Sequence, residues 1–198
     1  MENNNSYYSK SQTDKIGNAI IYLSKNYNGK LYKTTLLKLI YLLEESSIKK
    51  FGIPFFNIDF KIWKLGPVFT DLYYELNEGL EIFKPYFDVS VNEYGKYIHS
   101  EIEFSDDEFS DNDIELMDTI LESHKSDCSE DLVEITHSRN RPWYIQANND
   151  RLLDEQGNLI KSTTDKSIDF EILLDKASTQ YYLLQSALES KRVFDSLV

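Results

Sequence analysis

Residues 32–76 constrain the fold of this chain more than any other stretch. Leu36, Leu37, Leu39, Ile40, Leu42 and Leu43 fall on more than one side of a helix predicted from Thr34 or Thr35 to Lys50. A helix apolar on several sides needs neighbours on several sides, so it is central. Lys49 and Lys50 favour its carbonyl end, and Gly52 stops it. A loop from Phe51 to Ile58, pinned by Pro54, leads to a short strand. Phe60, Ile62 and Lys64 share one side of that strand; Lys61, Trp63 and Leu65 share the other. Gly66-Pro67 is expected to break the strand. Pro67 then sits in the first turn of a helix from Val68 to Asn77, where its missing N–H costs nothing.

The remaining elements read more weakly. Ile16, Ala19, Ile20 and Leu23 repeat at helical spacing in a helix from Thr13 to Asn26, with Thr13 as N-cap and Gly29 as a left-handed stop. Residues 1–12 are expected to be a flexible segment, and 13–198 one domain. Residues 86–104 alternate around Asn92-Glu93-Tyr94-Gly95, a hairpin signal; with the strand near residue 62 they would form one antiparallel sheet. Ser110 and Asp113 resemble a capping box, followed by Ile114, Met117, Ile120 and Leu121 on a buried stripe. A short helix is predicted over Ser129–Thr136, and a loop or weak strand over 147–167. Two helical segments follow, over 169–176 and 178–194. The fold class is mainly α (α+β): a single helical domain with a small antiparallel sheet or hairpin insertion.

The 198 residues carry a formal net charge of −13. Residues 1–100 hold 12 Lys/Arg against 11 Asp/Glu, and residues 101–198 hold 9 against 23. Nine of those acids lie between Glu101 and Asp118, with no Lys or Arg among them. Such a field repels phosphate backbones, so nucleic acid is not the expected partner. The opening residues lack the basic start and apolar run of a signal peptide, and no apolar run approaches the ~20 residues that span a bilayer. The expectation is a cytoplasmic protein with no membrane contact.

Catalytic patterns are not evident. His99, His124 and His137 show no metal-ligand spacing, and the single cysteine, Cys128, forms no internal disulfide. No glycine-rich phosphate loop follows a strand. A His124–Cys128 metal pair needs one helix face, but Ser126 and Asp127 read as a helix end, and nothing in the local sequence activates Cys128 as a nucleophile. The early helices, strand and hairpin, with Lys33, Lys38, Lys49, Lys50, Lys61 and Lys64 in one region, suggest a winged helix, but the predicted second helix is too apolar to leave a full face free for a groove. No catalytic residue, metal or cofactor is expected. Arg139 and Arg141 stand out in an acidic half: at least one is expected to pair with an acid inside the fold, and either would serve as an interface anchor if exposed.

Three stretches carry a family resemblance. They are the helix Tyr32-Lys33-Thr34-Thr35-Leu36-Leu37-Lys38-Leu39-Ile40-Tyr41-Leu42-Leu43, the segment from Phe60 to Tyr73 containing Trp63-Lys64-Leu65-Gly66-Pro67-Val68, and Leu132-Val133-Glu134-Ile135-Thr136-His137 with Pro142-Trp143 after it. In this order they resemble the Panacea domain family, the SocA-like, phage-associated antitoxins. The acidic stretch 101–118 and the polar stretch 147–167 fall outside the resemblance. It implies a largely helical, non-enzymatic antitoxin that binds a cognate toxin encoded by an adjacent gene. One branch of the family instead hands its toxin to a AAA+ protease, for which residues 1–12 would be the tether. A DNA-binding regulator is a third reading, and self-association is compatible with all three. Lys38, Tyr41, Trp63, Lys64, Gly66, Pro67, Val68, Thr136, His137, Pro142 and Trp143 are then expected to build the shared frame. Arg139, Arg141, Asp106, Asp107, Glu108 and Asp111 are the candidate partner-binding residues.

Overall fold

The computed structural model describes residues 8–196. About half of the chain is helical, with two small antiparallel sheets. The α-helices are α1 (Lys10–Asn26), α2 (Lys33–Phe51), α3 (Thr70–Glu78), α4 (Asp111–Ser123), α5 (Ser129–Thr136), α6 (Pro142–Asn149) and α7 (Thr179–Asp195). The strands are β1 (Leu31–Tyr32), β2 (Lys61–Trp63), β3 (Gly66–Val68), β4 (Asp88–Asn92) and β5 (Gly95–His99). The chain divides into two compact units: residues 1–36 with 71–126, and residues 37–70 with 127–198. No described helix is long and apolar enough to cross a membrane.

In the first unit, β1, β5 and β4 form an antiparallel sheet in that order, with Leu31 opposite Ile98 and Val89 opposite Ile98 on the other side. The hairpin turns at Glu93-Tyr94, where the sequence placed it. Its partner, however, is β1 and not the strand near residue 62. Two residues, Leu31 and Tyr32, are too few to show a period, so β1 was invisible in the sequence. Helix α1 begins at Lys10 because Ser9, not Thr13, caps it: the Ser9 hydroxyl accepts the Gln12 N–H at 3.1 Å. The expected flexible segment 1–12 therefore reaches into a helix; its first seven residues lie outside the described ones. The helix closes at Tyr27, whose N–H meets the Leu23 carbonyl, and Gly29 adopts its positive φ two residues later, in the turn to β1. Ser110 and Asp113 do form a capping box on α4.

The second unit contains the greater part of α2. From Thr35 through Glu45 every residue of that helix is buried, as its all-round apolar pattern requires. Tyr41, Phe60 and Phe170 pack ring against ring, with centroids 5.3–6.0 Å apart. The polar residues of α2 reach loop backbone. The Glu44 carboxylate accepts N–H groups from Phe56 (2.6 Å) and Asn57 (3.1 Å), and the Ser47 hydroxyl donates to the Ile53 carbonyl. Asn57 is left-handed, φ 58°, which Asn tolerates.

Gly66 and Pro67 do not break the strand and open a helix. They are the first residues of β3, which pairs with β2 across a two-residue turn, Lys64-Leu65. Pro67 lies opposite Ile62. The Ile62 N–H and carbonyl both face the other way, to Lys166 and Thr164, so this register asks Pro67 for no N–H. α3 begins at Thr70 instead of Val68. Residues 162–168 thus form a third, irregular edge beside β2, with Lys61 bridged to Ser167.

Burial holds the Glu44 pKa up at about 7, against the pull of the two N–H donors toward ionisation. Between about pH 4.5 and 7 the folded chain then binds more protons at this site than the unfolded chain, so its contribution to stability is full at acid pH and is lost as pH rises through 7. Urea denaturation across that window is expected to show this slope in the wild type and not in Glu44→Gln. That variant cannot accept both N–H groups and is expected to lose about 1–3 kcal/mol.

Candidate functional site

The motif residues converge in the second unit on the β2–β3 hairpin. Its backbone carbonyls are held by three side chains. Lys38 Nζ, from α2, donates to the Pro67 carbonyl at 3.0 Å. Trp143 Nε1, at the start of α6, donates to the Trp63 carbonyl at 3.1 Å. His137 Nε2, at the end of α5, lies 3.2 Å from the Lys64 carbonyl. The Trp63 indole N–H in turn reaches the Thr164 carbonyl.

Helix chemistry explains these placements. Pro142 occupies the first turn of α6, where proline is pre-organised, and Trp143 is buried directly after it. His137 is the C-cap of α5, and its Nδ1 lies 2.6 Å from the Val133 carbonyl. The Thr136 hydroxyl donates to the same carbonyl. The His137 ring packs on Trp143 with centroids 3.9 Å apart. Both ring nitrogens of His137 face carbonyl oxygens, and only the imidazolium donates to both. Burial, joined by the positive field of Lys38, holds its pKa below the ordinary value, although the two carbonyls pull the other way.

Gly66 sits at φ +99°, a conformation that side chains resist. A Cβ there would lie 2.7 Å from Lys38 Nζ, 3.0 Å from Thr136 Oγ1 and 3.1 Å from His137 Cε1. The glycine is thus required twice, by the turn and by the close approach of three motif side chains. Val68 is buried beyond it. Lys38 is 2% exposed, with no acidic partner within ion-pair distance among the described residues. Burial alone brings its pKa down to about 7.

A second polar group adjoins this frame. Arg141 Nη1 binds Glu45 Oε1 at 2.8 Å, the internal ion pair expected of one arginine. Glu45 Oε2 and the Tyr41 hydroxyl, one helical turn apart on α2, are buried beside each other. Burial raises the pKa of both, and Arg141 opposes the rise at Glu45. Arg139 stays exposed, its guanidinium 5.9 Å from the Tyr144 ring centre. Glu44, Glu45 and Thr164 were missed in the sequence, since acids on an apolar helix look like solvated positions until burial is known.

The candidate acids lie elsewhere, in the first unit, and the structure divides them. Helix α1 presents Ser11, Lys15, Asn18, Tyr22 and Lys25 at alternating spacings of four and three, one polar stripe. Each reaches the acidic stretch: Ser11 to Glu108, Lys15 to Asp113, Asn18 to the Ser105 N–H, Tyr22 to Asp118 and Lys25 to Glu103. Glu108 is therefore engaged by the fold. Asp106, Asp107 and Asp111 are exposed, Asp107 accepting a local bond from Ser105. Folding also redistributes the charge. The first unit carries 8 Lys/Arg and 18 Asp/Glu, the second 13 and 16. Among the described residues no group of three or more His, Cys, Asp or Glu is placed to hold a metal.

The family model described as "Antitoxin SocA-like, Panacea domain" matches residues 36–144, just over half of the chain. No curated protein and no solved structure matches it. The matched span contains every motif residue from Lys38 to Trp143 and runs through the acidic stretch, which sequence inspection could not align; it ends before 147–167.

Gly66→Ala is expected to cost about 2–4 kcal/mol from positive-φ strain and crowding together. In a double-mutant cycle, Lys38→Met is expected to relieve the crowding and leave the φ strain, a non-additive result readable by urea denaturation. Lys38 also sets a pH slope. Its folded pKa lies below its unfolded value of 10.5, so its burden on stability is full below pH 7 and fades toward pH 10. Wild type is expected to gain stability over that window, and Lys38→Met to lack the gain.

Proposed function

Because the chain belongs to the SocA-like Panacea domain family, we propose that it is an antitoxin that neutralises a cognate toxin protein by binding it directly, without bond-making chemistry of its own. The observation that carries this reading is where the motif residues direct their polar atoms. Lys38, His137 and Trp143 reach carbonyls of the chain's own hairpin, so the motif is a frame. Recognition is then left to exposed residues outside the frame. Here the acidic stretch supplies them, with Asp106, Asp107 and Asp111 outward while Glu103, Glu108, Asp113 and Asp118 are engaged by α1.

An outward acidic surface on a net-acidic unit accelerates encounter with a basic partner and covers a basic active face. The reading is tested on the adjacent reading frame. Its product is expected to be toxic alone, to be rescued by this gene and to co-purify with this chain. Rescue without physical association sinks direct neutralisation. Rescue that requires a AAA+ protease and destroys the toxin moves the assignment to an adaptor.

The division of the acids gives a sharper expectation. Neutralising Asp106, Asp107 and Asp111 together is expected to slow toxin association roughly 3–10-fold at low salt, with the difference vanishing at high salt and thermal stability unchanged. Neutralising Asp113 and Asp118 is expected to lower stability instead, by about 0.3–1 kcal/mol for each contact. Stopped-flow association and thermal melts separate the two.

A further inference from the structure

Residues 139–157 of the second unit line a hollow of about 310 Å³, which the frame does not use. Arg139, Tyr144 and Arg151 contribute to its lining, together with Asp154, Glu155 and Gly157. Leu153 and Leu159 are bridged to each other, so residues 154–158 form a small turn. Asp154 is occupied in holding that turn: its Oδ1 accepts the N–H groups of Gln156 and Asn158, both at 2.9 Å.

Arg151 is out of place by the rules of helix ends. α6 closes with the Leu152 N–H on the Ala147 carbonyl (2.9 Å) and the Arg151 N–H on the Asn148 carbonyl (3.1 Å), the paired bonds of a Schellman motif. That motif places Arg151 at φ +56°. Glycine is the residue that suits such a position, because it has no Cβ to crowd the carbonyl. Every other described residue with positive φ is a glycine or Asn57. The fold gains nothing evident from the arginine, since its guanidinium has no acidic partner among the described residues. Arg139 likewise has none, and lies over the Tyr144 ring. Two guanidinium groups without acidic partners, lining one hollow beside an aromatic ring, are suited to a planar oxyanion.

We propose that this hollow takes a carboxylate side chain from a partner protein, gripped by Arg139 and Arg151 against Tyr144. The same lining argues for a carboxylate within a polypeptide over a phosphate. Glu155 and Asp154, on the same lining, oppose a second negative charge and favour a basic group next to the bound acid. A Glu-Lys or Asp-Lys pair meets both demands; a phosphoryl dianion or a nucleic-acid backbone meets only one. The pocket deepens the reading of the chain as a protein-binding domain and rests on it for the choice of a polypeptide ligand.

The test uses the full ¹⁵N-labelled chain with acetyl-Glu-Lys-amide, acetyl-Gln-Lys-amide and inorganic phosphate as probes. The Glu peptide is expected to shift the amide signals of Tyr144, Arg151 and Gly157 saturably. The Gln peptide and phosphate are expected to bind at least tenfold more weakly. Arg151→Gly is expected to raise the melting temperature by about 2–4 °C, because glycine suits the left-handed position, and to weaken Glu-peptide binding at least tenfold. Equal binding of the two peptides, or tighter binding of phosphate, overturns the proposal. So does a lower melting temperature for Arg151→Gly, which would make the arginine a part of the fold. No toxin enters the titration, so failure of the antitoxin reading and failure of the pocket are separate results.

Discussion

Three side chains from separate stretches of sequence end on the carbonyls of one hairpin, and the arrangement of the second unit depends on them. Lys38 holds the Pro67 carbonyl, His137 faces that of Lys64, and Trp143 holds that of Trp63. A two-residue turn between three-residue strands has little stability of its own. Here it is fixed from α2, from the end of α5 and from the start of α6. The energetic character of the device is unusual. Placing an ammonium group inside a protein without a counter-charge is costly, and a hydrogen bond to a carbonyl returns only about 1.5–3 kcal/mol. The lysine therefore does not serve stability first. It specifies which backbone approaches α2 at that level, since any other approach leaves its charge without an acceptor.

The same logic extends along α2. Four of its buried polar side chains are directed at a loop or a neighbouring element: Lys38 at the hairpin, Glu44 at Phe56 and Asn57, Glu45 at Arg141, Ser47 at Ile53. A helix enclosed on all sides cannot select its neighbours by an apolar stripe, because every side is apolar. Polar groups at intervals supply the selection that the stripe would otherwise give. The helix therefore carries both the core and the addresses of the segments packed on it. The two opposite titrations, an acid raised by burial and a lysine lowered by it, follow from that arrangement.

Much of this was legible in the sequence where the signal is local. The capping box of Ser110 and Asp113, the turn between Asn92 and Gly95 and the bounds of α5 depend on a few adjacent residues. Pro67 misled because proline suits both a first helical turn and a strand position that donates no hydrogen bond. Only the orientation of Ile62, set by residues a hundred positions away, decides between them. The hairpin's sheet partner was hidden for the same reason, since β1 has only two residues and its role comes from pairing. The site's residue types were readable through the family pattern. Their geometric cause, the closeness of Lys38, Thr136 and His137 to Gly66, is a tertiary fact with no trace in spacing.

Charge shows why the order of residues is a poor guide to a surface. Split at the middle of the chain, almost all the negative excess falls in the second half; split along the compact units, most of it moves to the first unit, where 18 acids face 8 basic residues. Within that unit a single polar stripe on α1 engages Glu103, Glu108, Asp113 and Asp118. The acidic stretch is consequently both a structural seam and an exposed surface, on different residues of the same segment. A partner that reads this surface meets Asp106, Asp107 and Asp111 in positions fixed by the seam beneath them. Recognition of that kind draws its specificity from where a loop is anchored as much as from how many charges it carries. Substitutions in the seam would then reposition the surface charges without removing any of them.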